Sequence, residues 1–235
     1  MARKKIVFVI VEGPSDADAL DAVINRIFDS DMVHVHIVHG DLTTETGVTA
    51  SNVINRVVSD VKGYAVSNHF VKGDFKEIIH IVDTDGAFIP DTSVVEDMNA
   101  TKPVYSLTEI HTVNPAGIIC RNHQKASNLS KLVSCKTVWN IPYRVFYMSS
   151  NLDHVLYNKL NCSDDEKATN AFQFAKRYRK DIPGFLKFIT ESDFSVMDGY
   201  AEAWQYIKEE MHSLERHSNL GLAFPLLGVE SERDT

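Results

Sequence analysis

Apolar and polar residues follow a regular rhythm along the first 85 residues, and this rhythm predicts strands and helices in turn. Ile6–Val11 is a continuous apolar run, and residues 33–38 and 78–83 form two further strand-like stretches. Between them, apolar side chains recur at helical spacing in residues 19–28 and 53–61. A strand-helix-strand-helix-strand order predicts a parallel sheet with right-handed crossovers.

The rhythm fails after Gly86, where prolines interrupt a polar and mixed pattern. We interpret residues 87–141 as an insertion that is partly helical at 126–133. Residues 143–148 then predict a fourth strand, and residues 151–160 predict a helix. Residues 1–160 are therefore predicted to form an α/β core whose mostly parallel sheet is flanked by helices.

The remaining third of the chain has the periodicity of helices. Residues 164–179, 183–190 and 196–217 are predicted to be helical, within a C-terminal subdomain that covers residues 161–227. The last residues, 228–235, are short and charged, and we expect a disordered tail.

Composition and charge limit the classes of function that the chain can have. The chain has 235 residues and a formal net charge of −8, which argues against a protein that coats nucleic acid unaided. No apolar run approaches the roughly 18 residues of a membrane span, so we expect a cytoplasmic protein with no membrane partner. Residues 101–150, however, contain six lysines and arginines but only one acid, Glu109. This basic segment supplies the candidate contacts to a phosphate backbone, which are Arg121, His123, Lys125, Lys131 and Lys136.

Acidic residues stand at the ends of two predicted strands. Glu12 follows the first strand directly, and Asp83 and Asp85 end the third. In an open parallel sheet, ligands bind beyond the carboxyl ends of the strands, so we expect these three side chains to meet there. Clustered carboxylates repel one another unless they are protonated or bridged by a cation, and such a set suits Mg²⁺ or Mn²⁺. The alternative is that Asp83 and Asp85 belong to an ordinary turn and that Asp16 favours a helix N-terminus.

These residues carry a family resemblance. The stretch from Val11 to Asp16, followed by Asp83 and Asp85 at the end of a later strand, resembles the Toprim domain, most closely in the nucleases of the OLD (overcoming lysogenization defect) family. The resemblance implies a Toprim-like, Rossmann-like fold. It implies that Glu12 acts as metal ligand or general acid/base and that Asp83 and Asp85 are metal ligands. Asp16 would be a supporting catalytic acid and Asp153 a further metal ligand.

The function that the resemblance implies is Mg²⁺-dependent cleavage of DNA or RNA. The sequence has no Gly-x-x-x-x-Gly-Lys phosphate-binding loop. Since OLD-type Toprim chains work with an ATPase, we expect an ATPase partner protein and a role as effector in anti-phage defence. A homo-oligomer is compatible with this prediction.

Two alternatives stay open. The chain could be a catalytically silent Toprim module that binds nucleic acid or a protein partner. The order strand-Asp83-x-Asp85-Gly86 also resembles the first motif of haloacid-dehalogenase-type phosphatases, in which the first aspartate is the nucleophile. That resemblance leaves Glu12 unexplained, and Ala87 stands where those enzymes have a threonine or valine.

Overall fold

The main sheet carries the strands that end in acidic residues. The structure is a computed structural model and describes residues 4–28, 32–37 and 41–224. Five strands pair in the order β2-β1-β3-β8-β7. They are β1 (Ile6–Val11), β2 (Met32–Ile37), β3 (Phe75–Asp83), β7 (Thr137–Val138) and β8 (Ile141–Met148). The first four strands of this order are parallel, and β7 joins β8 antiparallel. The prediction of an α/β fold is confirmed.

Helices cover both faces of this sheet. They are α1 (Pro14–Ile27), α2 (Val53–Ser67), α3 (Pro115–Ser134), α4 (Leu152–Tyr157), α5 (Asp164–Tyr178), α6 (Ile182–Glu191) and α7 (Tyr200–Tyr206). Odd-numbered residues of β1 pack in one core with α1, α4, α5 and α6, while even-numbered residues pack in another with α2, α3 and α7. Both faces of β1 are thus buried, which explains its unbroken apolar sequence. None of the described helices has the length and apolar character that crossing a membrane requires.

The predicted insertion has its own small sheet and one long helix. Three short strands, β4 (Val94–Glu96), β5 (Val104–Tyr105) and β6 (Ile110–Thr112), pair in the order β4-β6-β5. Helix α3 starts eleven residues before the predicted stretch 126–133. Its beginning is marked by Asn114, whose side chain accepts a hydrogen bond from Gly117 N at 3.0 Å, and by Pro115 in the first turn.

The C-terminal region is less helical than predicted. Helices α5 and α6 match their predicted ranges closely, but α7 spans only Tyr200–Tyr206, so the prediction of a helix over 196–217 is wrong at both ends. The chain after α7 forms turns and bonds to the segment that follows β8: Ser150 N donates to Ser213 O, and Ser149 N donates to His217 O, both at 2.9 Å. The predicted disordered tail, 228–235, lies outside the described residues.

Candidate metal centre

The acidic residues of the two strand ends meet at the carboxyl edge of the main sheet. β1 and β3 are parallel neighbours, so Glu12, just after β1, lies beside Asp83, the last residue of β3. Asp83 N donates to Glu12 Oε1 at 3.2 Å. The carboxylate of Asp83 itself accepts a hydrogen bond from Leu152 N at 3.0 Å, which ties it to the start of α4.

A tight turn after β3 aims Asp85 into the same region. Asp85 and Gly86 have positive φ angles of 48° and 70°, and Ala87 N donates to Thr84 O at 2.8 Å. A Cβ atom at position 86 would lie 2.8 Å from Leu214 Cδ2, so both the backbone angle and the packing require glycine there. This packing accounts for a glycine directly after the acidic pair.

A fourth carboxylate, Asp41, completes the group. Carboxylate oxygens of Glu12, Asp41 and Asp85 all lie within 4.8 Å of one another. Asp41 is held in place by Thr43, whose backbone N donates to Asp41 Oδ1 at 2.8 Å. Asp41 is not among the candidate ligands predicted from the sequence. A weaker form of the same signal was available, because Asp41 lies in the loop after the second strand, four residues beyond Ile37.

Lys125 lies at the centre of this group, which corrects its predicted role. Its Nζ atom is 2.5 Å from Asp41 Oδ2, 2.5 Å from Asp85 Oδ2 and 3.7 Å from Glu12 Oε2. The side chain is fully buried. Lys125 therefore cannot contact a phosphate backbone at the surface of α3 as predicted; its ammonium group neutralises the carboxylates instead.

The pKa values of these acids and of Lys125 are shifted by burial and by one another. Burial raises the pKa of Glu12 well above its ordinary value, partly opposed by Lys125. Burial and the neighbouring Glu12 likewise raise the pKa of Asp83. Burial alone would lower the pKa of Lys125, but Asp85, Glu12 and Asp41 raise it well above its ordinary value, so Lys125 stays charged. Burial opposes ionisation of Asp41 as well, yet Lys125 and hydrogen bonds from Thr43 leave its pKa lowered.

Asp16 and Asp153 form the outer side of the site. Asp16 accepts a hydrogen bond from Gly13 N at 3.0 Å, which closes the first turn of α1, and burial raises its pKa to about 6. Asp153 is buried, lies 3.9 Å from Lys167 Nζ, and interacts electrostatically with Asp16. It is not one of the three residues whose oxygens converge, so the structure groups Asp153 with Asp16 and not with the Glu12–Asp41–Asp85 set.

The other predicted substrate contacts differ in exposure. Arg121 is partly buried, and its guanidinium donates to Asp85 O at 2.9 Å and to the Tyr105 hydroxyl at 2.7 Å. It thereby braces the acidic turn. His123 is exposed, with its Nε2 2.8 Å from an Asp91 oxygen. Lys131 and Lys136 are exposed on and after α3.

The donor chemistry fits a hard divalent cation. Four carboxyl groups, those of Glu12, Asp41, Asp83 and Asp85, interact here with the buried ammonium of Lys125, and Arg121 adds a second cation beside Asp85 and Asp41, so the fully ionised acids would outnumber the cations. Among the described residues, Lys125 is the only lysine or arginine that is buried. Carboxylate oxygens are the ligands of Mg²⁺ and Mn²⁺. The side chains of Glu12, Asp41 and Asp85 are 13%, 17% and 25% exposed, which lets water share the coordination.

Comparisons with models of protein families, with curated proteins and with solved structures found no match. The likeness to the Toprim domain therefore stays a resemblance of motifs. The structure supports the coarser statement of an α/β fold with helices on both faces of its main sheet.

Proposed function

We propose that the chain is a Mg²⁺-dependent nuclease of the Toprim kind that hydrolyses phosphodiesters of DNA or RNA at the carboxyl edge of the main sheet. The observation that supports this is the group of carboxylates of Glu12, Asp41 and Asp85, which follow three separate strands of the main sheet and outnumber the buried lysine that they contact. Repulsion within such a group lowers the stability of the folded protein unless a further cation is bound. Of the metals that accept an all-oxygen site, Mg²⁺ is the one that pairs most often with phosphate substrates.

Glu12, Asp41 and Asp85 are the residues that would hold the ion, with Asp83 beside them. A bound Mg²⁺ would polarise a phosphoryl oxygen and lower the pKa of a bound water. Glu12 is the candidate proton carrier, because burial raises its pKa well above the ordinary value of a carboxyl group and so favours its holding a proton. Asp16 supports the start of α1 next to Glu12 through its bond to Gly13 N.

The candidate route for a polyanion runs over α3. Lys131 and Lys136 are exposed cations, and His123 adds an exposed imidazole. Arg121 links this surface to the site, since it bonds to the backbone of Asp85. These residues would position the sugar-phosphate backbone without reading its sequence.

An ATPase partner and a role in anti-phage defence belong to the same proposal. They rest on the resemblance to OLD-type systems alone, which is an argument by analogy. Co-purification of the chain with the product of a neighbouring gene, and nuclease activity that depends on that product and ATP, would test the partnership.

The activity assay compares the wild type with Glu12→Gln and Asp85→Asn on plasmid, single-stranded DNA and transfer RNA, with Mg²⁺ or Mn²⁺. Each substitution removes a ligand charge at constant size, so we expect at least about a hundredfold loss of cleavage. Asp18→Asn is the matched control, since Asp18 is an exposed acid on the first turns of α1, and it should cleave like the wild type. Cleavage that survives both site substitutions would contradict the proposal.

A catalytically silent module is the second candidate, and the position of Lys125 favours it. Its ammonium occupies the space that a metal shared by Asp41 and Asp85 would need. If the wild type cuts none of the three substrates, alone or with its ATPase partner, and Mg²⁺ leaves its melting temperature unchanged, this second function is the better one.

A further inference from the structure

A second cluster of metal-binding side chains lies after α7. One ligand atom each of His212, Glu215 and His217 lies within 4.8 Å of the others. Oε2 of Glu215 is 3.4 Å from Nε2 of His217 and 3.9 Å from Nε2 of His212. Two imidazoles and one carboxylate form a donor set that Zn²⁺ uses in proteins, with a water or a substrate atom in the fourth position.

The distances suit such an ion with little movement. Tetrahedral Zn²⁺ with bonds of about 2.0–2.2 Å places neighbouring ligand atoms roughly 3.3–3.6 Å apart. The separation between Glu215 and His217, 3.4 Å, already has this value. The separation between Glu215 and His212, 3.9 Å, needs to close by roughly half an ångström, which side-chain rotation supplies.

His212 is already oriented as a metal ligand. Its Nδ1 lies 2.7 Å from Tyr206 O, a carbonyl that can only accept, so Nδ1 carries the proton and Nε2 keeps its lone pair. Metal-binding histidines are commonly fixed by this kind of bond to a backbone carbonyl. The imidazole also stacks on the Tyr206 ring, with centroids 3.9 Å apart and an angle of 15° between the planes.

The charge around the cluster favours a cation. Glu209, Glu210 and Asp198 add negative charge around Tyr206. The side chain of Glu215 is 44% exposed, so the open coordination position faces water.

We propose that His212, Glu215 and His217 bind one Zn²⁺ ion, which fixes residues 212–217 against the turn after β3. The segment already contacts that turn: Thr84 Oγ1 donates to Ser213 O at 2.8 Å, and Leu214, fully buried, packs against Gly86. A metal here would brace the turn that carries Asp83 and Asp85 from its far side. The proposal is independent of the nuclease activity.

The test is a calorimetric titration of the untagged full chain with Zn²⁺, in excess Mg²⁺ so that the carboxylate cluster is saturated. We expect one Zn²⁺ per chain and a rise in melting temperature on binding. His217→Gln and Glu215→Gln should each weaken binding by about a hundredfold or more. His111→Gln is the matched control: His111 Nε2 lies 3.1 Å from Glu109 Oε2, but this pair belongs to no group of three candidate ligands within the described residues, so zinc binding should not change.

Zinc binding that His217→Gln and Glu215→Gln leave intact would overturn the proposal, as would a wild type that binds no Zn²⁺. Binding that Glu12→Gln removes would also overturn it, because the ion would then lie in the carboxylate cluster. If His217→Gln or Glu215→Gln fails to fold by circular dichroism, the ligands of the ion are identified by X-ray absorption of the zinc-loaded wild type. Imidazole nitrogen with carboxylate oxygen supports the site, while sulfur ligands or oxygen alone contradict it.

Discussion

The carboxylate cluster and the histidine cluster both adjoin the turn at residues 83–87, but they balance charge in different ways. In the first, hard oxygen ligands surround the ammonium of Lys125, a cation that the chain itself supplies. In the second, two imidazoles face the single carboxylate of Glu215, which is partly exposed. In the metal-free protein, repulsion between the carboxylates of the first cluster therefore lowers the free energy of unfolding, and Lys125 offsets part of this loss. The second cluster has one carboxylate and lowers that free energy little. Perturbations of the two should differ in size accordingly.

The largest effect is expected from Lys125→Met, which shortens the side chain by one heavy atom and removes the charge. Asp41 and Asp85 would lose their buried partner, and breaking such a pair costs about 3–5 kcal/mol of unfolding free energy. Urea denaturation in EDTA measures this loss, and Mg²⁺ should restore part of it. Lys131→Met is the matched control on the same helix; Lys131 is exposed, so we expect a change below about 0.5 kcal/mol. Equal losses in the two variants would mean that Lys125 is not the cluster's counterion.

The pH dependence of stability gives the next largest effect. The pKa of Asp16 is raised to about 6 from 3.8, so the folded protein holds this proton more tightly than the unfolded chain. Stability is then lost as the pH rises from about 4 to about 6, by at most about 3 kcal/mol for two pKa units. Mg²⁺, which favours the ionised acids, should reduce this slope. Urea denaturation from about pH 4 to about pH 7, in EDTA and in Mg²⁺, measures it.

His154 acts in the opposite direction, because burial lowers its pKa to about 4 and its stabilising effect is lost as the pH falls. The informative quantity is therefore the difference between the wild type and Asp16→Asn, in which the histidine contribution cancels. Identical pH profiles of these two proteins would show that folding does not raise the pKa of Asp16.

The acids at the strand ends were predictable because the apolar pattern locates the strands and because each acid stands at the end of one. The apolar runs of β1 and β3 gave the sheet, and the rule that parallel strands end at one edge gave the meeting of Glu12 with Asp83. The same rule would have found Asp41. What the pattern could not give was Lys125, since a lysine in a basic helical stretch looks the same in sequence whether it faces solvent or a buried acid.

The histidine cluster was hidden for a different reason. Residues 207–217 have a helix-like pattern, but the backbone there forms turns and also bonds to Ser149, to Ser150 and to Thr84. Such bonds join residues more than 60 positions apart, so the spacing of apolar residues within the segment does not predict them. If α7 had continued as a helix to residue 217, His212 and His217, which are five residues apart, would lie on different faces of it.

Gly86→Ala tests whether the turn joins the two clusters, with the smallest expected effect. The new Cβ would meet Leu214 at 2.8 Å while the φ of 70° is strained for alanine, and we expect a loss of about 1–3 kcal/mol in urea denaturation. Gly63→Ala is the matched control inside α2: a Cβ there meets nothing within 4 Å, so alanine should stabilise by about 0.5–1 kcal/mol. Because Asp85 precedes Gly86 and Leu214 lies between His212 and Glu215, displacement of this contact should weaken the stabilisation by Mg²⁺ and by Zn²⁺ together. A variant that weakens only one of them would show that the clusters are independent of each other.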